Sequence, residues 1–139
     1  MSENQLTFII DIDGTICPIK KQDQQYGDLI PFAPMVDKIK EYKRKGAKIV
    51  LFTSRNMNSY SGNLGLINTY TAPVLLGWLK KWDIPYDEII FGKPWPGHFG
   101  FYVDDRTVRP DEFMKYSPEE LKHICESSHT DFSLMQEET

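Results

Sequence analysis

Apolar residues in this chain gather in short unbroken runs that stop abruptly at acids, hydroxyls or glycine. Leu6-Thr7-Phe8-Ile9-Ile10 stops at Asp11, and Ala47-Lys48-Ile49-Val50-Leu51-Phe52 stops at Thr53-Ser54-Arg55. Glu88-Ile89-Ile90-Phe91 stops at Gly92-Lys93, and Phe101-Tyr102-Val103 at Asp104-Asp105. Such runs read as strands, the first two buried on both faces as in a parallel sheet. Between them the period changes. Val36, Ile39 and Tyr42 recur at helical spacing behind Pro34, with Lys43, Arg44, Lys45 and Gly46 as a C-terminal stop. Val74, Leu75, Trp78, Leu79 and Trp82 form the apolar stripe of a second helix, from Thr71 or Pro73 to Trp82, and read as core. Ser117-Pro118-Glu119-Glu120 opens a last helix with a capping box. Cys17 to Phe32 reads as a loop or small flap, and Asn56 to Asn68 as a loop.

The order strand, helix, strand, helix, strand, strand, helix predicts an α/β sandwich with a mainly parallel sheet. Ligands of such sheets bind beyond the carboxyl ends of the strands. The chemistry-bearing residues fall there: Asp11 and Asp13, Thr53 and Ser54, Lys93, then Asp104 and Asp105.

That set suits phosphoryl transfer. Asp11 can attack phosphorus and carry the phosphoryl group. Asp13 can protonate the leaving oxygen and later deprotonate water. Gly14 permits a sharp turn whose N–H groups can face phosphate oxygens. Carboxylates beside a dianion repel it, so a hard cation is expected. Mg²⁺ would be held by Asp11, Asp104, the carbonyl of Asp13, and Asp105 directly or through water. Thr53 and the backbone of Ser54 can donate to the phosphoryl group, and Lys93 can offset charge.

The 139 residues suit one domain, expected over 1–126, with a polar flexible tail over 127–139. A net charge of -4 argues against a general nucleic-acid binder, yet leaves room for a small phosphorylated substrate. No apolar run approaches membrane length, and Met1 to Gln5 carries no signal pattern. Two cysteines, Cys17 and Cys125, do not form a disulfide framework, so a cytoplasmic setting is expected. Burial is the expected state of both thiols, with Cys17 near enough to the site to be open to oxidation.

Taken in order, Asp11-Ile12-Asp13-Gly14-Thr15, Leu51-Phe52-Thr53-Ser54, Lys93 and Val103-Asp104-Asp105 resemble the four motifs of the haloacid dehalogenase superfamily. The likeness spans about residues 6 to 106. It implies a Rossmann-like three-layer sandwich, Asp11 as nucleophile, Asp13 as acid/base and Mg²⁺ as metal. The acid at Asp13 points to the phosphatase and phosphomutase branch. Neither inter-motif gap has room for an inserted cap, so the chain resembles a capless member, whose open site a neighbouring subunit can cover. Ser54-Arg55-Asn56-Met57, Gly62-Asn63-Leu64-Gly65, Gly92-Lys93-Pro94-Trp95 and Gly97-His98 further resemble small members tied to bacterial capsule or surface-polysaccharide biosynthesis. That likeness implies a sugar or polyol phosphate as substrate.

Other residues stay open to two readings. Arg55 and Asn56 are substrate contacts, or Arg55 pairs with a nearby carboxylate. Trp95 to His98 form a stiff loop suited to substrate specificity; His98 is an unsuitable Mg²⁺ ligand, because such sites prefer oxygen. Arg106 reads as a structural ion pair, and His123 and His129 carry no assigned role. Two other classes compete with a phosphatase. One is a receiver-like signalling module, whose acidic pair and phosphoacceptor are ordered differently. The other is a catalytically idle domain that binds a partner protein.

Overall fold

The computed structural model describes residues 5–127. The polar start before Gln5, His129 and, apart from Ser127, the expected tail lie outside the described residues. The chain divides into two compact units, Met1–Trp95 and Pro96–Thr139.

The first unit is a βαβαβ succession. Strands β1 (Thr7–Asp11), β2 (Lys48–Thr53) and β3 (Glu88–Phe91) form a parallel sheet in the order β1-β2-β3. Parallel neighbours need a crossover element, and helix α1 (Ala33–Arg44) supplies the first. The register sets Asp11 opposite Phe52 and Thr53 opposite Phe91, so the three strands end nearly level.

Helix α1 forms where the spacing predicts it. Met35, Val36, Ile39 and Tyr42 are all buried, each worth roughly 1.5–3 kcal/mol. Lys45 N–H closes on Glu41 and Tyr42 carbonyls, and Gly46 takes the positive φ of +91° that ends the helix. Tyr42 packs against Phe8 of β1 in a tilted pair, 4.6 Å between centroids and 53° between ring planes.

Three expectations change. The region expected as loop from Asn56 to Asn68 turns helical at Leu64. There α2 (Leu64–Leu66), capped by Asn63 Oδ1 on Leu66 N–H, runs through a π-helical turn (Ile67–Thr71) into α3 (Ala72–Lys81). Gly65, Asn68 and Thr69 are weak helix formers, so sequence alone hid this start. Pro73, which has no N–H to give, fits just after the wide turn. Strand β1 is buried on one face only, since Ile9 is 66% exposed. Of the Val74–Trp82 stripe, Leu75, Trp78 and Leu79 are buried while Val74 is exposed.

In the second unit, Phe101-Tyr102-Val103 forms no strand. Val103 is 97% exposed, and the segment joins no backbone ladder among the described residues. Its flanks explain this. Gly97 has a positive φ, and Gly100 lies so close to Pro96 that a Cβ would not fit, so a tight turn precedes the run. A turn at Asp105-Arg106 follows. Apolar residues make a strand only with a partner. Helices α4 (Pro110–Lys115) and α5 (Pro118–Ser127) follow. Ser117 and Glu120 form the expected capping box, with bonds of 3.0 and 3.3 Å.

Candidate active site at the carboxyl end of the sheet

Asp11 ends β1, and the chain then folds on itself. Thr15, Ile16 and Cys17 N–H all donate to the Ile12 carbonyl, and Gly14 N–H donates to Cys17 at 2.7 Å. Gly14 takes φ +87°, which a side chain would resist. The turn leaves Asp11 and Asp13 partly exposed and buries Ile12 between them.

Asp11 has a partner for each oxygen. Lys93 Nζ lies 3.3 Å from Oδ1, and Thr15 Oγ donates to Oδ2 at 3.2 Å. Burial nonetheless pushes the Asp11 carboxyl above its ordinary value, with Lys93 and Thr15 opposing the shift. Lys93 is placed by β3: its N–H donates to the Thr53 carbonyl at 3.1 Å, one residue past the positive-φ turn at Gly92.

Thr53 ends the central strand and is buried. Its Oγ accepts from Arg55 N–H at 3.1 Å. The hydroxyl proton has no acceptor among the described residues, so it is available to a ligand. Ser54 is half-buried, and its carbonyl caps the turn at Met57.

Arg55 takes the ion-pair alternative. Its side chain is 1% exposed and grips Asp13 with Nε at 3.0 and 3.3 Å and Nη2 at 3.0 Å. The guanidinium carbon sits 4.2 Å from the Tyr26 ring centroid. Asn56 is also turned inward, at φ +60°, where its Oδ1 accepts from Thr71 Oγ at 2.7 Å. Cys17 is fully buried against the same pair. Its thiol is pushed up to about 12 by burial, then by the Asp13 charge.

The structure thus gathers Asp11, Asp13, Thr53, Arg55 and Lys93 in the first unit. Asp104, Asp105 and His98 belong to the second. There Asp104 Oδ1 accepts from Arg106 N–H at 2.9 Å, the main influence holding that carboxyl below its ordinary value. Among the described residues no three His, Cys, Asp or Glu side chains form a metal-holding group. In the first unit the donor set still suits a hard cation: Asp11 offers a partly exposed carboxylate, and Asp13 a backbone carbonyl. Sequence reasoning assigned no contact to Thr15, although its place four residues after Asp11 hinted at one. Tyr26 gave no signal, because nothing in an irregular segment says where a ring will lie.

No protein-family model matches the chain, and no curated protein matches it. A crystal structure of a target protein from Vibrio cholerae is 42% identical over 90% of this chain and 100% of that one, with a TM-score of 0.83. A chain of the Pnkp1/Rnl/Hen1 complex aligns at 18% identity over 82% of this chain and 36% of that one, with a TM-score of 0.48.

Proposed function

The chain belongs to one family with the Vibrio cholerae protein, and from that premise we propose that it is a Mg²⁺-dependent phosphatase of the haloacid dehalogenase type. The observation that carries this reading is the junction of Asp11, Thr53 and Lys93 at the level ends of three parallel strands. A nucleophile, a hydroxyl donor and a cation there meet the needs of a phosphoryl group in transfer. An idle module has no need of all three, and a receiver-like module, which uses similar residues, orders its acidic pair and phosphoacceptor differently.

In this reading Asp11 attacks phosphorus through one carboxylate oxygen. A P–O bond forms to Asp11 as the P–O bond to the leaving group breaks, and the leaving oxygen takes a proton from Asp13. Water then attacks the aspartyl-phosphate and gives a proton to Asp13. Inorganic phosphate leaves and Asp11 is restored. Lys93 balances charge on Asp11 and the phosphoryl oxygens. Thr53 and the backbone of Ser54 donate to those oxygens. The cation would be held by Asp11 and the Asp13 carbonyl. Mg²⁺ supplies charge neutralisation when bound.

The substrate class is a phosphate monoester, with sugar and polyol phosphates favoured by the resemblance to surface-polysaccharide proteins. The test is phosphate release from a panel of sugar phosphates, polyol phosphates and nucleotides with added Mg²⁺. Turnover that needs the metal and disappears in Asp11→Asn supports the reading. A folded protein with no metal-dependent turnover across the panel overturns it.

A further inference from the structure

We propose that Arg55 is a positioning residue. Its fork holds both oxygens of Asp13, Nη2 on Oδ1 and Nε on Oδ2, and Oδ2, which has fewer donors, is the oxygen that carries the proton to the leaving group and takes it from water. The proposal rests on the phosphatase reading above.

The hydrogen bonds to Asp13 are uneven. Oδ1 receives Nε at 3.3 Å, Nη2 at 3.0 Å and the Cys17 thiol at 3.6 Å, whereas Oδ2 receives Nε alone at 3.0 Å. The donors are themselves inaccessible: the Arg55 side chain is 1% exposed and Cys17 is fully buried, while the Asp13 side chain is 22% exposed. Asp13 is therefore gripped from beneath and open above. The less occupied oxygen is the one with lone pairs to spare for a proton.

The grip is built to hold one geometry. Arg55 N–H is fixed on Thr53, and its guanidinium lies over the Tyr26 ring at 4.2 Å and within 5.9 Å of the Trp78 ring. A planar fork on a ring face has few other orientations. Stability alone does not account for it. Nη1 is buried with no hydrogen-bond partner, so the charge is incompletely satisfied. Buried ion pairs are often matched or bettered by apolar packing, whereas a proton carrier must be held within a fraction of an ångström.

The test compares kcat and KM, with Mg²⁺ present, on 4-nitrophenyl phosphate and on a simple alkyl phosphate. The first leaving group departs without a proton and the second needs one. Arg55→Lys keeps the charge and loses the fork. It should lower kcat about 100-fold on the alkyl ester and less than about 10-fold on the aryl ester, within the range of general acid catalysis, with KM changed by no more than about threefold. Combined with Asp13→Asn it should lose little beyond Asp13→Asn alone, because both act through one group. Equal losses on both esters, or losses that multiply in the double variant, overturn the proposal. If circular dichroism shows Arg55→Lys to be unfolded, Tyr26→Leu, which removes only the ring, makes the same comparison with a smaller contrast. Wild-type protein that turns over neither ester overturns both readings; turnover with uniform losses overturns this one alone.

Discussion

Lys93 Nζ stands 3.3 Å from Asp11 Oδ1, although one residue follows the last strand of the sheet and the other ends the first. The pair spans the end of β2, and the Thr53 carbonyl beneath holds the Lys93 backbone. Two edge strands and the central one therefore meet in a single contact, so a change in any of them reaches Asp11.

Burial raises the Asp11 carboxyl above 3.8, its ordinary value, so the folded chain binds this proton more tightly than the unfolded chain does. The associated stability is fully present below the unfolded pKa and is lost as pH rises through the folded one. In the presence of a chelator, the melting temperature of the wild type relative to Asp11→Asn should fall as pH rises above 3.8 and level off once the folded carboxyl has ionised. Mg²⁺ should recover it at neutral pH in the wild type and not in the variant. A difference that stays flat with pH would contradict the buried-carboxyl account.

Trp78 ties α3 to the segment before α1. Its indole N–H donates to the Leu29 carbonyl at 2.7 Å, and both residues are buried. Trp78→Phe keeps most of the packing and orphans that carbonyl. Urea unfolding should show a loss of about 1–3 kcal/mol, the cost of an unsatisfied buried group. A loss well under that would mean that water reaches Leu29.

Cys17 lies beside Asp13 but is no nucleophile. Only the thiolate reacts, and this thiol is fully buried and shifted to about 12. Iodoacetamide at neutral pH should label the partly exposed Cys125 first in the native protein, with Cys17 labelled only after denaturation. Peptide mass spectrometry separates the two. Early modification of Cys17 would restore the sequence-based expectation that it is open to oxidation.

Much of this was legible in the sequence, for physical reasons. Buried parallel strands write themselves as apolar runs, and the ligand-facing ends of such sheets follow those runs; the grouping of Asp11, Thr53 and Lys93 at the strand ends was legible this way. Helix α1 was legible because amphipathic spacing and a glycine stop agree. The start at Leu64 was not, because an Asn cap and a π turn leave no periodic trace. Phe101 to Val103 carried a strand's composition but pairs with no strand among the described residues, which composition cannot reveal. Arg55 was ambiguous for a related reason. Its fate depended on Tyr26 and Trp78, which the fold brings beside it from distant segments.

The sheet follows chain order, each strand lying beside its predecessor. Each crossover must therefore close, at an entropic cost set by its length, before the next strand can add. The Asp11–Lys93 contact needs both closures and cannot exist in any partly paired sheet. On the phosphatase reading, recovery of phosphate release after refolding would then count only chains that have completed the last pairing, while helical signals also count chains that have not yet done so.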